Sequence, residues 1–598
     1  MINEPVIRLD GRYLYYTFLA GAQGILQNQT EINRINVFPV NDKDTGTNLA
    51  STIRSVIDNI KPHRSFTKTA GMIADAAMEG ARGNSGVIFA QFLYGLSLET
   101  AEKNTVTIVD FAEIVKKSVK YIYEAIAEPV EGTMLTVIKD WAEYIYSKRY
   151  KTTDFKQLVI ESMDILKISL LETKQKLNIL RQNNVVDAGA KGFVVFIEGI
   201  IDLIKNRKIR NLTSETSQNL SLVHTEMQFG ETIEHRFCTE ALIKDFTLDQ
   251  HESHKILKHY GNSAVVAGSG KTTRIHVHTN HPAELFHELK DFGTIISQKV
   301  DDMVRQNDVV INRKWNIALV TDSTCDLSQE LMDYYQINML PINLNFGENH
   351  YLDKVTITPL QFYDLLAESP AFPKTSQINE RAFTNTFSHL ASHYDAIIAI
   401  HLSGSFSGTL SNSEKAAERI RAEFNKPVYV VDSRSVSGSL GLLVLRTAQA
   451  IEKGMSPEEI LSSVDSWINK NKIYVSVKTM KYMVKGGRVS KPKGFISRLL
   501  NIKPIISVNE NGKSVLIDKA FSQKKNIQKV RKIIDQLITQ HNVWNYIILH
   551  AGNKDGADDY AGYMKEITGM DPVSLVDISP VVGMNAGIGT VAVSLMFE

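Results

Sequence analysis

Residues 36–48 read NVFPVNDKDTGTN, and the reading of the first third of the chain follows from them. Two acids, Asp42 and Asp44, stand one residue apart in a turn sequence, beside Gly46 and the hydroxyls of Thr45 and Thr47. Hard carboxylate oxygens on a turn that frees backbone N–H groups suit Mg²⁺ and polyphosphate. On either side, from Leu14 to about Lys205, apolar residues recur every three or four positions. YLYYTFLAGAQGIL (13–26), TIVDFAEIVKKSVKYIYEAI (107–126) and FKQLVIESMDILKISLLETKQKL (155–177) therefore predict helices. A turn built for anions inside a helical region points to a phosphate site at helix ends.

Three further connectors carry the same chemistry: GARGNSG (Gly80–Gly86), PVEGTMLTV (Pro129–Val137) and VVDAGAKG (Val185–Gly192). Glycines allow close backbone approach, and Asn84, Ser85 and Thr133 add polar side chains. Each alone also reads as an ordinary turn or helix cap. Four in one helical region favour a common site.

Beyond them, KNRKIRNLTSETSQNLSLVHTEMQ (205–228) is polar and linker-like. The following segment is mixed: SAVVAGS and TRIHVHTN predict strands, and HPAELFHELKDFG predicts a helix started by Pro and stopped by Gly. In TRIHVHTN, His276 and His278 are two apart, so a strand turns both imidazoles to one face. With Cys238 of EHRFCTEALI they form either a cation site or a buried thiol beside polar strand residues. From Trp315 the character changes again. NIALVTDS, AIIAIHLS, VYVVDS and YIILHAGN are apolar runs ending in small polar residues, which fits buried parallel strands feeding active-site loops. Asp322 and Asp326 are expected to cap the helix after the first of these strands. TSQ (375–377), SGSFSGT (403–409) and KGGR (485–488) suggest an anion pocket.

Composition bounds the function classes. The 598 residues contain 67 Lys+Arg and 66 Asp+Glu, which gives no support to nucleic-acid binding or to a polybasic anchor. Two cysteines, Cys238 and Cys325, exclude a disulfide scaffold. MINEPVIRLD lacks a basic start and an apolar run, and no apolar run approaches the roughly 20 residues that span a bilayer. A cytoplasmic protein without stable membrane insertion is expected.

The four motifs of the first region, in their order, resemble the ATP-binding domain of the dihydroxyacetone-kinase superfamily (DhaL type), in the version found in bacterial fatty-acid kinases. The resemblance implies an all-α barrel with Mg-ATP at one end. Asp42 and Asp44 would hold two Mg²⁺ ions, with Asn36 nearby. Thr45, Thr47, Asn48, Gly83, Asn84, Ser85 and Gly86 would cradle the phosphates, and Thr133, Asp187 and Gly189 would close around the nucleotide. The family's Pro-Asp-Gly-Asp reads Asn41-Asp42-Lys43-Asp44 here. Lys43 at a left-handed position would cost about 1 kcal/mol, or would add a charge beside the phosphates. The FCTE and HVHTNHP motifs resemble the middle domain of fatty-acid kinases and imply Zn²⁺ on Cys238, His276 and His278.

Seven ordered blocks resemble the DegV family: VTDSTCDL (320–327), PKTSQ (373–377), SGSFSGTLSN (403–412), VVDSRSVSGSLGLL (430–443), KYMVKGGRVS (481–490), KPII (503–506) and PVVGMNAGIG (580–589). They imply a two-lobed α/β fold holding a long-chain fatty acid. Thr375, Ser376, Ser407 and Gly408 would meet the carboxylate, with Asn585 where many relatives carry His. Arg488 would contact a kinase domain.

The expected organisation is a kinase domain (1–210), a linker (211–228), a small α+β middle domain (229–314) and a DegV-like domain (315–598). The expected activity is ATP- and Mg²⁺-dependent phosphorylation of a fatty acid to an acyl phosphate. Its partners would be a long-chain fatty acid, separate acyl carrier proteins and a second copy of the chain. The alternatives are a lipid sensor that binds ATP without turnover and a polyol kinase.

Overall fold

In a computed structural model of the chain, residues 5–38, 44–206, 233–269, 271–487 and 502–598 are described. Asp42, Lys43, the 211–228 linker and Arg488 fall outside them. The chain divides into two compact units. One is Met1–His281 with Leu289–Ile311; the other is Pro282–Glu288 with Asn312–Glu598.

The first unit opens with α1 (Gly11–Gln27), α2 (Gln29–Arg34), α3 (Thr45–Asn59), α4 (Phe66–Gly80) and α5 (Gly83–Glu99). It continues with α6 (Ile108–Ala125), α7 (Met134–Lys148), α8 (Phe155–Lys176), α9 (Asn178–Gln182) and α10 (Ala188–Asn206). Short strands β1 (Arg8–Asp10) and β2 (Thr105–Thr107) pair antiparallel and tie the start of α1 to that of α6. Capping sets the starts. Asp10 accepts the Tyr13 N–H, and Thr107 with Asp110 forms a reciprocal capping box. The apolar stripes meet in one core around Ala22, Ile25, Leu49, Ile53, Val87, Ala90 and Phe193. Helices α1 and α10 cross so closely that a Cβ on Gly24 would lie 2.3 Å from the Val195 carbonyl oxygen, and one on Gly199 would lie 2.3 Å from that of Ala20.

The middle segment joins this core through an antiparallel sheet in the order β4 (Gly261–Ser269), β5 (Thr272–Thr279), β3 (Phe237–Lys244), β6 (Thr294–Asp302). Val265 and Ala267 of β4 are buried with the helical core, and the Ala127 N–H donates to the Ala264 carbonyl. The strands expected at SAVVAGS and TRIHVHTN are β4 and β5, and a helix spans Pro282–Leu289.

In the second unit β7 (Ile317–Asp322), β8 (Asn338–Leu340), β12 (Ala396–His401) and β13 (Val428–Asp432) form an all-parallel sheet, order β13-β12-β7-β8. A small antiparallel sheet holds β9 (Asn343–Phe346) between β10 (Asn349–Leu352) and β11 (Lys374–Ser376). The third sheet comprises β14 (Asn471–Ser476), β15 (Lys503–Val508), β16 (Ser514–Ala520), β17 (Val543–His550), β18 (Ser574–Asp577) and β19 (Val591–Phe597), in the order β16-β15-β14-β19-β17-β18. YIILHAGN departs from the all-parallel expectation. As β17 it is parallel to β18 and antiparallel to β19. An apolar run records burial on both faces and carries no information about the direction of its neighbours. Among the described residues no helix is long and apolar enough to cross a membrane.

The α1–α10 crossing yields a stability prediction. Gly199→Ala should lower stability by about 1–3 kcal/mol, because backbone must move apart. Gly71→Ala, on α4 with nothing within 4 Å of its Cβ, should raise stability by about 0.4–1 kcal/mol. Melting temperatures followed by circular dichroism test the opposite signs.

Candidate functional site

The starts of α3, α5, α7 and α10 meet at one end of the helical region. A Cβ on Gly83 would lie 2.3 Å from Asn48 Nδ2, and one on Gly189 would lie 3.0 Å from Ser85 Oγ, 3.1 Å from Met134 Cε and 3.3 Å from Asp187 Oδ1. Gly83 also has φ +55°, a left-handed conformation that favours glycine. Three of the four helices lack a side-chain cap: Asp44, Arg82 and Thr133 are N-cap residues without a capping hydrogen bond. None of these three residues caps its own helix; the Thr45 and Gly83 N–H groups donate instead to Asn36 Oδ1 and Glu240 Oε1, and the helix dipoles at these starts favour an anion.

Individual motif residues divide by what they touch. Asn36 is buried, and its Oδ1 accepts from the Thr45 N–H at 3.2 Å and from the Thr45 hydroxyl, joining the two ends of the acidic turn. The Thr47 hydroxyl accepts from Asn33 Nδ2 at 2.9 Å and Gln29 Nε2 at 3.2 Å, so α2 holds it. Asn48 packs on Gly83, and a Cβ on Gly86 would meet the Thr52 hydroxyl at 2.6 Å. Asn84 Oδ1 is buried with no hydrogen-bond partner among the described residues. The Thr133 hydroxyl donates to the Val130 carbonyl at 2.8 Å. Asp187 Oδ1 accepts the Ala190 N–H at 2.7 Å, capping α10. Burial raises the Asp187 carboxyl to about 6, against the lowering pull of the Ala190, Met134 and Gly189 amides.

The middle sheet brings a second constellation to this end. Cross-strand pairing sets Cys238 opposite His278, and Glu240 opposite His276. Cys238, His276 and His278 each offer a ligand atom within 4.8 Å of the others. Cys238 Sγ lies 4.0 Å from His276 Nδ1, and His276 Nε2 is buried without a hydrogen-bond partner among the described residues. Burial and neighbouring His276 push His278 down to about 3, which keeps it as the neutral imidazole that ligates metals. One thiol and two imidazoles with an orphaned buried nitrogen fit Zn²⁺. His281 and His235 do not belong to this cluster among the described residues.

Sequence reasoning missed the residue between the two constellations. Glu240 is 1% exposed. It accepts the Gly83 N–H at 2.6 Å and lies 3.5 Å from Arg274 and 3.7 Å from Arg82. Burial alone would raise its carboxyl. The nearby His276 ring, 3.7 Å away, and the charges of Lys299, Arg82 and Arg274 instead hold it well below the usual carboxylate range. Arg274 also donates to the Met78 and Glu79 carbonyls near the end of α4, at 2.9 and 2.6 Å. Strand alternation from Cys238 and His276 put Glu240 and Arg274 on the same face, and that was the available signal.

In the second unit Thr375, Ser376, Ser407, Gly408 and Asn585 all line one cavity of about 530 Å³. Its walls are mainly apolar: Ile473 and Val475 of β14, Ile506 and Val508 of β15, with Leu402, Phe406, Met483 and Met584. The Ser407 hydroxyl shares a 2.9 Å hydrogen bond with that of Thr409. Asn585 Nδ2 donates to the Val581 carbonyl at 3.2 Å, while its Oδ1 is buried without a hydrogen-bond partner among the described residues. Asp322 and Asp326 do not cap the following helix, whose N-cap is Ser328. Asp322 instead accepts from the Leu402 N–H and pairs with His401 at 3.2 Å. Asp326 pairs with Lys354 at 2.7 Å and accepts from the Ser437 hydroxyl and the Ser579 N–H. These buried acids fasten loops from different strand ends around the cavity, a long-range role that local helix signals do not reveal.

Comparison with known proteins follows this division. Family models match residues 39–202 as a DAK2 domain, 234–310 as the FakA-like middle domain of fatty acid kinases, and 316–598 as the DegV family. The chain is 30% identical over 318 residues to protein YloV of Bacillus subtilis and 30% identical over 320 residues to a protein of Staphylococcus saprophyticus. These alignments cover 51% and 52% of this chain and 58% of each relative. Two solved structures resemble it. One is a DegV family protein from Thermus thermophilus described as fatty acid binding (28% identity, 47% of this chain and 100% of that chain, TM-score 0.44). The other is DegV of Bacillus subtilis, described as a fatty acid binding protein (27%, 48% and 100%, TM-score 0.43). One chain therefore joins a DAK2 domain, a fatty acid kinase-like middle domain and a DegV domain.

Asp187 supplies a pH prediction. Its folded pKa of about 6 lies above the unfolded value near 3.9, so between pH 4 and 6 the folded state binds the extra proton and stability falls as pH rises. Asp187→Asn keeps the acceptor for Ala190 and removes the titration. The stability of the variant relative to the parent should rise by roughly 2 kcal/mol from pH 4 to pH 7, read from denaturant unfolding. A flat difference would reject the raised pKa.

Proposed function

We propose that the protein is an ATP- and Mg²⁺-dependent fatty acid kinase carrying its own acyl-binding domain, with an acyl phosphate and ADP as products. The observation that carries this reading is that all five expected head-group residues line one largely apolar cavity, in the same chain as a DAK2 domain. Apolar walls suit an acyl tail, whose burial contributes about 0.8 kcal/mol per CH₂. Such a wall composition disfavours a polyol.

Chemistry at the head group needs no strong base. A fatty carboxylate is ionised at neutral pH. The hydroxyls of Thr375, Ser376 and Ser407 would orient it as donors without a full opposing charge. A carboxylate oxygen would attack the γ-phosphorus, the bond to the β–γ bridging oxygen would break, and ADP would leave. The start of α5 would receive the phosphates through its uncapped amides at Asn84 and Ser85. Asp44, with Asp42, would hold Mg²⁺ through hard carboxylate oxygens, and Mg²⁺ when bound neutralises phosphate charge. Joining both sites in one chain would raise their effective concentration wherever the connection lets them meet, within one chain or between two copies.

The test is incubation of delipidated protein with ATP, Mg²⁺ and mixed fatty acids, with hydroxylamine trapping of acyl phosphate. A lipid hydroxamate that requires ATP is expected, and Asp44→Ala should lower its yield on the order of 100-fold. Bound ATP and lipid without hydroxamate would favour a sensor. Ser407→Ala should weaken fatty acid binding about 10-fold or more, the worth of a hydrogen bond to a charged group. Fluorescent fatty acid displacement measures it, and unchanged affinity would remove Ser407 from the head-group site.

A further inference from the structure

Glu240 touches both candidate sites of the first unit. Oε1 accepts the Gly83 N–H at 2.6 Å and lies 3.7 Å from His276 Nδ1. Oε2 faces Arg274 at 3.5 Å and Arg82 at 3.7 Å. Gly83 is the first residue of α5 and adopts φ +55°. Asn84 and Ser85, which would receive phosphate, follow it directly. A displacement of this carboxylate therefore displaces the turn that begins α5. On the other side stands His276, one of the three clustered ligand residues. Arg274, anchored by the α4 carbonyls, leaves the carboxylate little freedom to move without one of these partners following.

We infer that Glu240 is a positioning residue that couples the Cys238–His276–His278 cluster to the phosphate-facing turn at Arg82–Ser85. A cation on the cluster fixes the His276 ring, the ring fixes the carboxylate, and the carboxylate holds the turn in its receiving form. The inference rests on the nucleotide reading given above. Coupling between two sites is reciprocal, so Zn²⁺ tightens nucleotide binding and nucleotide tightens Zn²⁺ binding by one factor. A merely structural Glu240 would change stability without creating such a factor.

Calorimetric titration of the full chain with Mg²⁺ and a non-hydrolysable ATP analogue tests this, comparing zinc-loaded with chelator-stripped protein and verifying zinc content by elemental analysis. Zinc-loaded protein should bind the analogue about 5- to 150-fold more tightly. Competition with a chromogenic chelator should return the same factor for Zn²⁺. In Glu240→Ala the factor should fall to about 1 while zinc still binds. Hydrogen exchange at the Gly83 amide of the unaltered chain, without nucleotide, should slow when Zn²⁺ is added; this readout stands even if the variant does not fold. An unchanged factor in Glu240→Ala, or exchange at Gly83 indifferent to Zn²⁺, overturns the inference. Analogue binding that ignores zinc overturns the coupling alone, whereas no analogue binding in either form overturns the nucleotide reading with it.

Discussion

A buried carboxylate with three cationic neighbours organises the first unit. Glu240 is costly to bury, and a charge in that position persists only when partners and hydrogen bonds replace water. Here Arg274, Arg82 and Lys299 supply charge, and the Gly83 amide supplies a hydrogen bond. The consequence is geometric. The sheet residue fixes where α5 begins, and α5 packs on α3 and α4 through the common core. Removing one member of such a set leaves the others buried without compensation, so the arrangement holds together or fails together.

Legibility in the sequence tracked the range of the interactions. Helices of the first unit were readable because their apolar stripes repeat locally, and the crossing of α1 with α10 was not, because it depends on Gly24 and Gly199 meeting carbonyls far away in sequence. The four phosphate-type connectors were found by residue type. What each residue touches was not: Thr47 looked like a phosphate ligand and is held by Asn33 and Gln29. Strand alternation correctly placed His276 and His278 together. It could have added Glu240 and Arg274, whose charges drew no notice beside better-known metal ligands. Asp326 shows the limit most clearly, since its partners Lys354, Ser437 and Ser579 come from three separate loops.

The second unit separates its polar work from its apolar work in the same way. Buried acids bind the loops together on the parallel sheet, where Asp322 and Asp326 find amides, hydroxyls, His401 and Lys354. The cavity itself is lined, among the described residues, by hydroxyls, amides and hydrocarbon without a charged side chain. A charged group fastened into the scaffold is compensated there and exerts less pull on a ligand than a free cation would. Loop positions can thus be rigid without the cavity becoming strongly charged.

That separation bears on catalysis through Asn585. One N–H of its amide donates to the Val581 carbonyl, so the residue brings at most one further neutral donor and no positive charge to the cavity. If the head group is the nucleophile, a cation beside it would strengthen binding of the ground state and draw electron density from the attacking oxygen. Binding that is equally strong before and during reaction does not accelerate the chemical step. In the proposed reading, hydroxyls at Thr375, Ser376 and Ser407 would orient the carboxylate with less such loss, while an acyl tail would contribute affinity away from the reacting atoms. Affinity from hydrocarbon and orientation from hydroxyls is the division of labour that a carrier of a nucleophilic carboxylate requires.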